Sequence, residues 1–195
     1  KATTALIRYS DNFTTNKIGQ IKPIIFNDHE LFKICSFEIM PYSADHSAFD
    51  SYAFLITNDN KSIFYSGDFR AHGREHEKFD NLICNPPKVD LLLMEGTLIG
   101  ERIDEPNIEE LEVERKLVGL CLETKGTVFV TVPSMNIDRI ISIYNAAKQT
   151  GRKFILDLHA AELFDRLKNY SNDIPQSAYP DVLLWYPKFQ RENFD

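Results

Sequence analysis

The chain has 195 residues, 43% hydrophobic and 26% charged, with a net charge of −7 and a pI near 5.3. That is enough apolar residue for one large or two small hydrophobic cores, and no apolar run reaches the roughly 20 residues of a membrane-spanning helix. The acidic balance argues against broad electrostatic attraction to nucleic acid and leaves only a local basic groove open. Three widely spaced cysteines, Cys35, Cys84 and Cys121, form no Cys-x-x-Cys pair, so reduced thiols and a cytoplasmic setting are expected, with no membrane association. The start at Lys1 and the end at Asp195 lead us to expect a fragment of a longer protein.

From residue 3 to 43 the apolar residues alternate in short runs, at 5–9, 21–26, 31–35 and 37–40. Period-two alternation broken by Asn27-Asp28 and Ser36 predicts antiparallel strands. His29 falls in one of the turns, where a solvated loop histidine is expected. Residues 52–57 and 62–65 flank the turn-rich Asn58-Asp59-Asn60-Lys61 and predict a β-hairpin. A hairpin brings the start of its first strand and the end of its second to one rim, so His46 and Asp68 can converge from 22 positions apart. Gly67 permits a sharp exit from the second strand.

A helix is expected over 75–84, with Phe79, Leu82 and Ile83 on one face, stopped by Pro86-Pro87. Residues 89–94 form an almost continuous apolar run, expected to be a strand covered on both faces. Glu95 follows directly. Apolar spacing predicts a helix from Ile108 to Leu122 with Gly126 beyond its end, then a strand at 128–132, a helix at 136–149, a strand at 153–158, a helix at 160–167 and a strand at 182–186. Strands alternating with helices predict a parallel, doubly wound sheet in this part. The change of rhythm near 102–107 divides the chain into 1–104 and 105–195.

Three stretches concentrate chemistry at strand ends: Pro41-Tyr42-Ser43-Ala44-Asp45-His46-Ser47, Tyr65-Ser66-Gly67-Asp68-Phe69-Arg70-Ala71-His72-Gly73 and Leu91-Leu92-Leu93-Met94-Glu95-Gly96-Thr97. A rigid sheet presents its reactive groups there. Imidazole and carboxylate together suit a divalent metal, though one His and one Asp are too few ligands to define a site.

These stretches, with Asp45-His46-Ser47-Ala48 and His72-Gly73-Arg74, resemble successive motifs of the metallo-β-lactamase superfamily, and within it the β-CASP branch of RNase J-like and mRNA 3′-end-processing enzymes. Val132-Pro133-Ser134-Met135-Asn136-Ile137-Asp138-Arg139 resembles the strand-to-helix turn early in the β-CASP domain. The resemblance implies an α/β fold, the latter part of an αββα sandwich followed by the first part of a Rossmann-like β-CASP domain. It implies a hydrolase with two divalent ions, zinc by expectation, acting on phosphodiesters of RNA.

Carried over by motif, His46 is the histidine that holds one metal and Asp68 the aspartate that bridges two. Glu95 matches an acidic neighbour that orients ligands or handles protons, with a turn cap as the plainer alternative. His72 is either an oxyanion donor or a packed structural histidine, with Arg70 and Arg74 adding positive potential beside it. Ser134 either contacts phosphate at a helix start, with Arg139 behind it, or is the helix N-cap. The family's His-x-His-x-Asp-His string is absent from this sequence. The chain alone is therefore expected to bind metal weakly and to be inactive. Hydrolysis of a small ester, lactone or cyclic nucleotide, and a non-catalytic scaffold role, remain the rival readings, and assembly into a homo-oligomer is left open.

Overall fold

The computed structural model describes residues 2–10, 22–97, 99–100 and 107–187. The expected boundary at 104/105 lies outside them. The described chain opens with helix α1 (Ala2–Ser10) and falls into two compact units, residues 22–109 and a second made of 110–187 with α1.

In the first unit β1 (Phe32–Ile34), β2 (Phe37–Ser43), β3 (Tyr52–Asn58) and β4 (Lys61–Tyr65) form an antiparallel meander. The β3–β4 turn is the expected hairpin, closed by Asp59 and Asn60 at φ 46° and 60°. These values suit the two central positions of a primed turn, and Asp and Asn adopt them more readily than other non-glycine residues. Helix α2 (His76–Cys84) then returns the chain so that β5 (Leu91–Leu93) lies parallel to β4 at the sheet edge, giving the order β1-β2-β3-β4-β5. Asp90 sets this register: its carboxylate accepts from the Ser62 N–H at 2.8 Å and hydroxyl at 3.1 Å and from Lys61 Nζ at 3.1 Å. One sheet face is covered by Phe26, stacked on Phe32 at 5.3 Å and edge-on to Tyr52 and Phe54 at 5.0 and 5.7 Å. On the other, Tyr42 meets the buried Phe64 at 5.5 Å.

In the second unit α3 (Glu110–Glu123) packs on α4 (Ile137–Gln149), and β6 (Phe154–Asp157) pairs in parallel with β7 (Val182–Trp185) through α5 (Leu158–Leu167). Ile137, Ile140, Ile141 and Tyr144 give α4 one buried stripe. The start of α3 is fixed by Glu110, 1% exposed, which accepts from Arg139 Nε and Nη2 at 3.1 and 2.9 Å and from the Ser142 hydroxyl at 2.9 Å. Its end is capped from a distance. Arg152 donates to the carbonyls of Cys121, Thr124 and Gly126, which the helix itself leaves without partners.

Several sequence expectations are corrected. Residues 5–9 belong to a helix, because Ala2, Leu6 and Tyr9 are buried at helical rather than alternate spacing and seat α1 on α5. There the Tyr9 hydroxyl donates to the His159 carbonyl at 2.8 Å, and burial, with Glu162 and Asp157 nearby, pushes its pKa to about 12. Residues 22–26 form no strand; Pro23 supplies no N–H, and Phe26 serves as a lid on the sheet instead. Residues 128–132 form no strand either, and Phe129 is 92% exposed. The second unit's parallel sheet accordingly has two strands among the described residues. Strand β5 is an edge strand rather than a doubly covered one: Leu91, Leu92 and Leu93 are 48%, 54% and 45% exposed. The three cysteines are free thiols, and no helix among the described residues is long and apolar enough to cross a membrane.

Candidate active-site rim

The β2–β3 connection, the exit of β4 and the exit of β5 meet at one end of the first sheet, since Ser43 pairs with Tyr52, Phe54 with Tyr65, and Tyr65 with Leu93. Backbone and buried side chains lock the three together. Beyond β4, the Ser66 N–H donates to Leu93 O at 2.9 Å and the Glu95 N–H donates to Ser66 Oγ at 3.1 Å, so Ser66 clasps the two parallel strands past their last paired residues. Gly67 follows at φ +58°, where a Cβ would lie 3.0 Å from Tyr52 O; glycine is required both for the conformation and for the approach.

A second clasp ties the loop carrying His46 to the loop carrying Asp68. Asp45 is 1% exposed; its carbonyl accepts from Arg70 N–H at 2.8 Å, its Oδ2 accepts from Gly73 N–H at 2.8 Å, and Oδ1 lies 3.6 Å from Arg70 Nε. The ion pair is buried, with the Arg70 side chain only 12% exposed. Asp45 is thus the residue that organises the rim, and the sequence reading passed over it in favour of its neighbour. Its signal was present only as an Asp beside His46 and an Arg and Gly in the facing loop.

On this frame sit the expected groups. His46 accepts from the Ala48 N–H at Nδ1, 3.1 Å away, which orients the ring in its loop. Asp68 is exposed and lines a groove of about 390 Å³ with Glu95, Tyr65, Leu92, Leu93 and Met94. Glu95 Oε1 accepts from Phe69 N–H at 2.7 Å and Oε2 from the Thr97 hydroxyl at 2.7 Å. The Phe69 N–H first, then the Thr97 hydroxyl, and further the charge of His46, hold the Glu95 carboxyl below its ordinary range despite partial burial. Glu95 is therefore an ionised acceptor fixed in place, coupled electrostatically to His46. The arrangement puts one imidazole and two carboxylates at a single rim over an apolar floor, suited to orienting a nucleophile or accepting its proton.

The remaining candidates separate. His72 and Arg74 are half-buried in the loop between β4 and α2. Arg70 faces Asp45, and Arg139 in the second unit faces Glu110. Ser134 does not cap α4; the Asn136 side chain does, accepting from Arg139 N–H at 3.1 Å. Among the described residues no group of three or more His, Cys, Asp or Glu side chains is placed to hold a metal ion. His46 and Asp68 are fewer than the three protein ligands a zinc site takes, and no third is placed with them among the described residues, so no step through a metal follows from this chain's own residues.

The fold and rim define a mixed α/β protein with an acid and imidazole group at the ends of adjacent strands. No family model matches the chain. It is 24% identical over 184 residues to the probable RNase MJ4 of Methanocaldococcus jannaschii, covering 91% of this chain and 41% of that protein. It is 27% identical over 141 residues to ribonuclease J of Mycoplasma genitalium, covering 69% of this chain and 24% of that protein. Among solved structures, a protein of unknown function from Enterococcus faecalis V583 shares the fold with a TM-score of 0.72, over 94% of this chain and 47% of that one, at 21% identity. The chain thus spans less than half the length of each of these proteins.

Proposed function

We propose that the protein to which this chain belongs is a ribonuclease of the β-CASP branch of the metallo-β-lactamase superfamily, hydrolysing phosphodiesters in RNA. The observation that carries the reading is the similarity, over 91% of the chain, to a relative named a probable RNase. The rim supports it. His46 and Asp68 would contribute to a two-metal centre, zinc by expectation, whose other ligands lie outside this sequence. Glu95 holds the Phe69 backbone, and with it the loop bearing Asp68, in fixed register against β5. In this reading residues 22–97 supply one wall of the site and residues 107–187 the beginning of the second domain.

One observation favours a second reading, a small ester or cyclic nucleotide as substrate. Arg70 and Arg139, two of the three arginines expected to meet RNA phosphates, are taken up by Asp45 and Glu110. The test uses the full-length protein and compares single-stranded RNA with a cyclic nucleotide and a simple phosphodiester. Wild type is expected to cleave RNA preferentially, and Asp68→Asn and His46→Ala to lose roughly 100-fold or more with no shift in unfolding midpoint. Preference for the small substrates would select the second reading. RNA cleavage at the wild-type rate by Asp68→Asn would remove Asp68 from the chemistry.

A further inference from the structure

A second cavity, of about 470 Å³, opens beside the rim on the first unit, between one face of α2 and the strand end that leads to His46. Its volume is in the range of about 300–1,000 Å³ typical of small-molecule sites. Lys78, Asn81 and Leu82 line one side from a single face of α2, and Asn85, just past the end of the helix, continues that side. Helix α2 thus turns amide side chains into a cleft, while Phe79 is stacked on Phe69 at 5.6 Å elsewhere on the helix. Across the cavity stand Tyr42 and His29, their rings 4.6 Å apart and edge to face.

His29 is held, not loose. It has φ +55°, an uncommon conformation for a residue with a Cβ; its N–H donates to Pro41 O at 2.9 Å, and its Nδ1 lies 3.1 Å from Asp28 Oδ2. Asp28 in turn accepts from the Ser43 N–H at 2.6 Å and hydroxyl at 2.9 Å, fixing the aromatic side of the cavity to β2.

The charges decide what such a cavity takes. Lys78 is paired with Glu75 at 2.6 Å, and His29 Nδ1 lies against the Asp28 carboxylate, so no surplus positive charge awaits a phosphate. What remains on offer is an aromatic wall and two carboxamides, that of Asn81 and that of Asn85, whose Nδ2 makes only a long contact of 3.5 Å to Asn81 O. A planar, neutral ring with a hydrogen-bonding edge meets both. Unpaired nucleobases are held in this way, stacked on Tyr or His and read along their edges, and a carboxamide is matched to the donor and acceptor pair of adenine.

We propose that this cavity binds one unpaired nucleobase of the RNA, adenine by preference, with Asn81 and Asn85 reading its edge, the Tyr42 ring stacking on its face and His29, edge-on to Tyr42, bordering it. The proposal rests on the ribonuclease reading and adds a base-reading subsite outside the catalytic rim. Ser43, which bounds the cavity, is three residues from His46, so a strand engaged at the rim passes within reach of the cavity. The base held here sets which phosphodiester is presented.

The test measures binding of the full-length Asp68→Asn protein to a short single-stranded RNA rich in adenine, and to copies made abasic at each position in turn. One abasic position is expected to weaken binding roughly tenfold, and adding Asn81→Ala with Asn85→Ala is expected to remove that penalty. Both asparagines are exposed, so the unfolding midpoint should not change, which separates base reading from misfolding. An equal affinity for all abasic copies, or a penalty that survives the double substitution, would overturn the proposal while leaving RNA binding intact. Absence of any binding or cleavage of intact RNA by the wild type would overturn the ribonuclease reading and the subsite with it.

Discussion

Replacing Gly73 by alanine should unfasten the rim without altering any group proposed to touch substrate. Gly73 is buried, and a methyl at its Cα would sit 2.0 Å from Asp45 Oδ1 and 2.6 Å from Nε and Nη2 of Arg70. Arg70 ends a flexible side chain and can swing away. Asp45 cannot do so readily, because its side chain is short, enclosed and bonded to the same glycine's N–H. Relief from 2.0 to 3.4 Å asks the carboxylate to move by about 1.4 Å, which a 2.8 Å hydrogen bond does not survive. Breaking a buried charged pair costs about 3–5 kcal/mol, and overpacking alone about 1–3 kcal/mol. With partial relaxation the expected loss is about 3 kcal/mol, a large part of a stability of about 5–15 kcal/mol. The only tryptophan, Trp185, lies in the other unit and would not report the change. Amide hydrogen exchange, resolved by peptide, would. The loops at 44–51 and 66–75 should open roughly 100-fold more often, while β6 and α5 keep their protection. Unchanged exchange in both loops, or a uniform loss across both units, would refute the clasp.

Four further substitutions address individual residues. The folded-state pKa of Glu95 is depressed from 4.5, so its contribution to stability is complete above pH 4.5 and lost as pH falls through the lower folded value. Glu95→Gln should therefore flatten the acid limb of stability against pH, seen in unfolding midpoints on either side of pH 4.5; an acid dependence equal to wild type would contradict this. Arg139→Ala removes the charged partner of the buried Glu110 carboxylate and should destabilise the second unit by about 3 kcal/mol. A protein of unchanged stability with weaker RNA binding would instead return Arg139 to the substrate. Asn136→Ala should weaken α4 by about 1 kcal/mol, whereas Ser134→Ala should leave the helix unaffected; urea unfolding followed by Trp185 fluorescence distinguishes them.

Local chemistry made much of the fold legible. The Asp59-Asn60 turn, the Pro86-Pro87 stop after α2 and the apolar stripe of α4 each state their own structure, because the deciding interactions lie within a few residues. The failures share a cause in partners distant along the chain. Ala5 to Tyr9 fits a short strand as well as a helix until α5 supplies the surface that buries Leu6 and Tyr9 at helical spacing. Val128 to Val132 has strong strand propensity and finds no strand to pair with among the described residues, so Phe129 stays exposed. A run of three leucines likewise cannot distinguish a covered strand from an edge strand such as β5, since the pattern is the same and the covering layer is encoded elsewhere.

The rim shows the same division between chemistry and context. His46, Asp68 and Glu95 stand at adjacent strand ends because hairpin geometry and the parallel return through α2 bring them there, and both features are readable from spacing. The cations are different. An arginine in a loop beside an aspartate invites a substrate-facing role, yet Arg70 is directed inward because Asp45, 25 positions earlier, is buried and needs an opposite charge. Arg139 answers Glu110 for the same reason. Both arginines are thus engaged by a buried carboxylate, Arg70 fully within the rim and Arg139 at the edge of α4. On the ribonuclease proposal, residues 22–97 would orient and specify a strand, through carboxylates, an imidazole and a cavity lined with amides and aromatic rings, more readily than they would attract one. On that proposal the attraction for a polyanion falls to cations other than these two arginines, since the chain's own net charge is −7.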